Sequence, residues 1–178
     1  MASAMPIKNF ESISGQIAKI LAGRIIRGEL EPEQATSEYM DTLRAFFGEE
    51  TKGSPPHFDL VLLGMGRDGH TASLFPGAAV IHEETRWVVT YSVRKLDTWR
   101  VTLAPAVINA AAHVTFLVSG AAKAGRLREV LEGPYRPHAL PAQIVRPIDG
   151  RLLWLVDEAA AADLEEGSPF SGQVGRTF

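Results

Sequence analysis

The chain has no cysteine, which removes disulfides, thiol catalysis and thiolate metal sites from consideration and carries no firm message about compartment. It also lacks an apolar run approaching the roughly twenty residues of a membrane span, and its N-terminus shows no signal-peptide pattern, so the expected location is the cytoplasm. No basic run is present. With 18 basic and 21 acidic residues the net charge is −3, which gives no electrostatic support for binding nucleic acid or an anionic membrane. Internal repeats and low-complexity linkers are absent too. What remains is a chain of 178 residues, 46% hydrophobic, able to bury one good core and expected to form a single main domain.

The most informative segment is Phe58-Asp59-Leu60-Val61-Leu62-Leu63-Gly64-Met65-Gly66-Arg67-Asp68-Gly69-His70-Thr71-Ala72-Ser73-Leu74-Phe75-Pro76-Gly77. An apolar run long enough for one buried strand empties into Gly64, Gly66 and Gly69, which let the backbone approach a ligand. An aspartate and a histidine follow, beside an expected helix start. The spacing also spells the dinucleotide fingerprint, Gly64-x-Gly66-x-x-Gly69, with Glu83 and Glu84 near the distance of a ribose-binding acid. That fingerprint requires a long helix after the third glycine, and Pro76 and Gly77 stop any helix after about two turns. No nicotinamide cofactor is therefore expected.

The longer string from Gly64 to Pro76 resembles the signature of the 6-phosphogluconolactonase family, within the glucosamine-6-phosphate isomerase/6-phosphogluconolactonase superfamily. The similarity continues, in order, through Arg27-Gly28-Glu29-Leu30, the helix around Ser37-Glu38-Tyr39, Trp99-Arg100-Val101-Thr102-Leu103, Asn109-Ala110-Ala111, Val118-Ser119-Gly120-Ala121-Ala122-Lys123-Ala124 and Trp154-Leu155-Val156-Asp157-Glu158-Ala159-Ala160. It covers about Arg24 to about Leu164. Two motifs normal in that family do not occur: a Ser-Gly-Gly-Ser-Thr-Pro phosphate loop and a Gly-Asp-Glu-Arg motif, each at the end of an earlier strand. The resemblance thus implies an α/β domain of the doubly wound, Rossmann-like kind without its N-terminal portion. The expected division is a leader helix unlike the family over residues 1–23, the domain over 24–166, and a C-terminal tail over 167–178.

Helical spacing of Ile7, Phe10, Ile13, Ile17, Ile20 and Leu21 predicts that the leader helix ends by Gly23. Pro32 suits a first helical turn, with Ala35, Tyr39, Leu43, Phe46 and Phe47 along one face and Gly48 as terminator. Trp87, Val89, Tyr91 and Val93 alternate as in a strand, and Arg100 to Leu103 reads as another. A helix is expected around Val107 to Ala112, a strand over His113 to Ser119, a helix over Ala121 to Leu131, a strand over Leu152 to Val156 and a last helix over Glu158 to Leu164. That alternation predicts a parallel sheet covered on both faces. Because leading strands are missing, either the leader helix packs on the exposed sheet or two chains pair as a homodimer.

Lactone hydrolysis, the activity the resemblance implies, needs a base for water, donors for an oxyanion and a proton for the departing ring oxygen. His70 can serve as base and then as acid, with Asp68 orienting the imidazole. Backbone N–H groups between Gly66 and Thr71, with Gly69 among them, are the expected oxyanion donors. By resemblance, Lys123 is a phosphate-binding lysine and Arg100 an arginine near the same site, with Arg67 and Lys95 as weaker candidates. No metal or cofactor is required, and the partner is a small sugar phosphate. His57, His82, His113 and His138 lack metal-ligand spacing and are expected to be structural. A related deaminase/isomerase typically continues its Gly-x-Gly-x-Asp-Gly-His with Ile-Ala-Phe-Asn-Glu-Pro, whereas this chain has Thr71-Ala72-Ser73-Leu74-Phe75-Pro76 and no acid there. A non-catalytic sugar-phosphate-binding remnant is the third reading.

Overall fold

The computed structural model describes residues 13–48, 54–93 and 96–165. Among the described residues, four helices and five strands run in the order α1 (Ile13–Ile26), α2 (Pro32–Phe47), β1 (Val61–Gly64), β2 (Val88–Val93), β3 (Thr98–Leu103), α3 (Pro105–Asn109), β4 (His113–Val118), α4 (Ala124–Leu131) and β5 (Arg151–Val156). Short 3-10 turns lie at Ala79–His82, Ala121–Lys123 and Pro141–Ile144.

The class is α/β with a parallel sheet, as expected. Strands β1, β4 and β5 pair in the order β1-β4-β5, Leu63 standing opposite Phe116 and Phe116 opposite Trp154. Side chains alternate across a strand, so Leu63, Val114, Phe116, Val118, Trp154 and Val156 share one face and are all buried. There the Phe116 and Trp154 rings stack with centroids 3.8 Å apart. Leu127 and Val130 of α4, Ile108 of α3 and the loop residues Leu74, Ile81 and Leu140 close over that face. The opposite face is not covered among the described residues: Leu62 and Leu117 are about half exposed, and Leu153 and Leu155 also face solvent.

Strands β2 and β3 do not join this sheet. They form an antiparallel pair of their own, because the four residues between Val93 and Thr98 can reverse the chain and are far too few for a parallel crossover. Helices α1 and α2 pack on this pair and build a second core around Leu21, Ile25, Tyr39, Leu43, Trp87, Val88 and Val101. Phe58 and Leu103 touch both cores.

The helices depart from expectation in several places: α3 spans Pro105–Asn109 where a helix around Val107 to Ala112 was expected, and α4 starts at Ala124 after a 3-10 turn. The leader helix runs through Gly23 to Ile26, because Leu21 and Ile25, one turn apart, both reach the second core and outweigh the roughly 1 kcal/mol cost of a helical glycine. Gly28, at φ 69°, ends it. Its expected start at Ile7 lies outside the described residues. Phe46 is exposed while Phe47 packs edge-on against Phe58, so the apolar stripe of α2 is narrower than its sequence suggests. Over Glu158 to Leu164 the chain makes successive turns instead of a helix. The Asp157 carboxylate takes the N–H of Ala160 at 2.8 Å and that of Gly120 at 3.0 Å, tying this segment to the loop after β4. The expected tail from residue 167 also lies outside the described residues.

Candidate active site

Strand β1 ends at Gly64, beside the end of β4, and the chain turns back on itself over the next six residues. The Gly66 N–H bonds the His70 carbonyl at 2.8 Å, the Gly69 N–H bonds the Gly66 carbonyl at 3.1 Å, and the Thr71 hydroxyl donates to the Gly64 carbonyl at 2.8 Å. Thr71 is almost wholly buried and closes the loop at its base. Two glycines are required sterically. At Gly69, φ is 82° and a Cβ would meet the Leu140 side chain at 2.9 Å; at Gly66, a Cβ would fall 2.1 Å from Nδ1 of His70.

The imidazole lies over Gly66. Its Nδ1 is 2.5 Å from Oδ1 of Asp68, and its backbone N–H reaches the same oxygen at 3.2 Å. Partial burial works to raise the Asp68 carboxyl, but the hydrogen bonds from the His70 side chain and backbone, with the imidazole charge, outweigh it and hold the carboxyl below the usual range. With Nδ1 engaged, Nε2 is the ring nitrogen available to a reacting molecule. The ring of Phe75 packs on the imidazole with centroids 4.3 Å apart.

A cleft of about 1070 Å³ opens in front of this pair, walled by Arg67, Asp68, His70, Phe75, Tyr91 and Arg100 among others. Arg100 reaches it from β3, where its Nη1 donates to the Thr98 hydroxyl and the Trp99 carbonyl, both at 3.3 Å. Tyr91 stands opposite Arg100 in the hairpin register and donates its hydroxyl to the Ser73 carbonyl. A second cavity of about 500 Å³ runs along β1 between α1 and β3 and shares Arg100 with the first.

The structure thus brings His70, Asp68, Arg100 and Arg67 together. Lys123, at the end of its 3-10 turn, donates to the Met65 carbonyl and is not among the residues that wall the cleft. Thr71 is a structural tie, its hydroxyl bonding the Gly64 carbonyl and its backbone pairing with Leu74. The N–H groups of Gly66, Gly69 and His70 are directed to acceptors within the loop, the Asp68 N–H lies against its own carboxylate, and Thr71 pairs with Leu74 in a single β-bridge. The helix start expected after Gly69 is replaced by a tight turn, Leu74 N–H to Thr71 carbonyl at 2.8 Å with Ala72 at φ 48°. Of the histidines expected to be structural, His113 bonds the Asp59 carbonyl at 3.1 Å, while His82 and His138 stack on each other. Lys95 lies outside the described residues.

Sequence reasoning missed Phe75 and Tyr91. Phe75 lay within the motif itself; Tyr91 was visible only as one member of an alternating strand, and its place in the cleft depends on the β2–β3 register.

The model of a family described as glucosamine-6-phosphate isomerases/6-phosphogluconolactonase matches residues 4–154, beginning inside the leader that was expected to be unlike it. A 6-phosphogluconolactonase of Homo sapiens is 44% identical over 138 residues, 76% of this chain and 52% of that protein. One from Synechocystis is 40% identical over 134 residues, 75% of this chain and 54% of that protein. A solved structure of 6-phosphogluconolactonase from Trypanosoma brucei superposes with a TM-score of 0.63 at 31% identity, over 75% of this chain and 54% of that one. The chain therefore spans about half the length of these relatives. Its loop, its parallel sheet and the matched residues lead to one assignment: the chain belongs to the glucosamine-6-phosphate isomerase/6-phosphogluconolactonase family.

Proposed function

We propose that the chain is a carboxylic-ester hydrolase that opens 6-phospho-D-glucono-1,5-lactone to 6-phospho-D-gluconate, the lactone step of the oxidative pentose phosphate pathway, in the cytoplasm. The observation that carries this reading is the His70–Asp68 pair at 2.5 Å on the wall of a cleft that also holds Arg100. Nε2 of His70 takes a proton from water, and the resulting hydroxide attacks the lactone carbonyl carbon. Asp68 holds Nδ1–H and stabilises the imidazolium that forms. Backbone N–H groups of the loop between Gly66 and Thr71 are assigned as the donors for the tetrahedral oxyanion. As the intermediate collapses, the imidazolium returns its proton to the departing ring oxygen, leaving a free hydroxyl and a carboxylic acid that ionises in water. No step calls for a metal or redox cofactor.

The substrate phosphate is assigned to Arg100 and Arg67 in the cleft, with Lys123 contributing if its ammonium swings from the Met65 carbonyl. Lys123→Ala should weaken binding of 6-phosphogluconate more than that of gluconate in parallel calorimetric titrations, because a charge-assisted contact to phosphate exists only when phosphate is present. Equal losses for both ligands would remove Lys123 from the site.

The isomerase reading is less well supported, since the cleft position that aligns with that group's glutamate is Phe75, which has no ionisable group to offer. The open sheet face, with Leu62, Leu117, Leu153 and Leu155, suits pairing of two chains as a homodimer. The deciding experiment is hydrolysis of freshly generated 6-phosphogluconolactone with the spontaneous rate subtracted. A rate that scales with protein concentration supports the hydrolase; a rate equal to background leaves a non-catalytic binding remnant.

A further inference from the structure

We propose that Phe75 is a positioning residue for His70, its ring seating the imidazole over Gly66 so that Nε2 stays aimed into the cleft. The kinetic consequence rests on the hydrolase reading above; the placement rests on geometry alone.

The His70 side chain is only partly buried, at 29% exposure, and Asp68 holds one of its two nitrogens through a carboxylate that is itself 39% exposed. A single hydrogen bond at Nδ1 leaves the ring free to rock, because the torsion between an sp³ carbon and an aromatic ring has a broad minimum. Packing must supply the rest of the restraint, and two contacts do so. Gly66 lies beneath the Nδ1–Cε1 edge, where even a Cβ would come within 2.1 Å and 2.2 Å of those atoms. Phe75 lies along the plane of the ring, with centroids 4.3 Å apart and planes inclined by 33°. Its face also favours the imidazolium formed during turnover.

Phe75 is well placed to act as a fixed wall. The preceding residue, Leu74, is fully buried in the main core, and Pro76 restricts the Phe75 backbone to extended conformations. The Phe75 carbonyl accepts the Ala78 N–H at 3.0 Å, which closes the turn that follows. Buried core, proline and turn thus hold the ring from its backbone outward, and the ring holds His70.

The test combines kinetics with nuclear magnetic resonance of the His70 ring in the whole chain. In the unmodified protein, the carbon-bound His70 ring protons should be displaced upfield by the Phe75 ring current. In Phe75→Leu that displacement should vanish and the ring nitrogen signals should report a mixture of tautomers, while circular dichroism shows the fold retained. Lactone turnover by Phe75→Leu should fall in kcat by about tenfold or more with KM changed by less than about twofold, and Phe75→Tyr should restore kcat to within about twofold. The proposal is overturned if kcat is unchanged in Phe75→Leu, if the loss lies in KM alone, as for a wall that touches substrate, or if the His70 signals do not respond. Should the chain show no lactonase activity, the hydrolase reading fails and the resonance data still decide the placement. Should Phe75→Leu not fold, the ring-current displacement in the unmodified protein and in Phe75→Tyr decides it, its absence overturning the proposal.

Discussion

Phe116 and Leu117 are neighbours on one strand, and the two faces they belong to have opposite surroundings. Phe116 stacks on Trp154 beneath the helices, whereas Leu117 stands with Leu62, Leu153 and Leu155 on a face that no described element covers. Both faces are apolar, so hydrophobicity alone does not explain which one is buried. The helices follow the face whose residues are large and aromatic. The glycine loop is braced by residues of the main core: Leu140 packs beneath Gly69 and the Ala142 N–H bonds the Gly69 carbonyl at 2.9 Å, while Lys123 holds the Met65 carbonyl. The difference teaches that loop geometry is secured independently of whatever meets the open face. Stability is drawn mainly from one side of the sheet.

The largest test of this contrast is a pair of adjacent truncations. Phe116→Ala should cost about 3–5 kcal/mol in urea unfolding, since it removes a fully buried ring and its stacked partner's contact, while Leu117→Ala should cost under about 1 kcal/mol. Equal costs would mean that the open face is covered in solution. A second test replaces Leu117 and Leu155 together by lysine and follows solution mass by sedimentation. If two chains pair there, the double variant should sediment as a monomer at concentrations where the unmodified chain is dimeric, with secondary structure retained. A smaller effect is expected at Glu83, whose carboxylate caps the turn into β2. Burial acts to raise this carboxyl, but the N–H groups of Arg86 and Thr85, the Thr85 hydroxyl and the Arg86 guanidinium bring it down to about 2. Because the folded value lies below the unfolded one, its stabilisation is complete above the ordinary glutamate range and fades as pH falls towards about 2. Glu83→Gln should therefore lower stability by about 1–2 kcal/mol at neutral pH, and thermal melts should show that deficit shrinking on acidification below about pH 4.5.

The glycine loop was legible because its demands are local. Gly66 and Gly69 announce backbone that no side chain could follow, and Asp68 two residues before His70 is close enough to bond it without help from the rest of the fold. Arg100 was placed by resemblance, and the hairpin register shows why it reaches the cleft. Other features depend on distances that no sequence spacing records. Lys123 follows a strand end as expected, yet its ammonium turns to the Met65 carbonyl because β1 and β4 are neighbours and their loops meet. Tyr91 enters the cleft through its pairing with Arg100. Gly23 reads as a stop, but Leu21 and Ile25 find a core that carries the helix past it. The turns after Asp157 were concealed for a similar reason, since the partner that diverts them, Gly120, is far away in sequence.

The proposed hydrolase stands or falls on a working base at His70. Comparing lactone hydrolysis by the unmodified chain and by His70→Ala, each above the spontaneous rate, tests it most directly. His70→Ala should lower turnover by about a hundredfold or more with an unchanged melting temperature, as expected when a general base is removed from a partly exposed loop. A variant that turns over at the unmodified rate would contradict it.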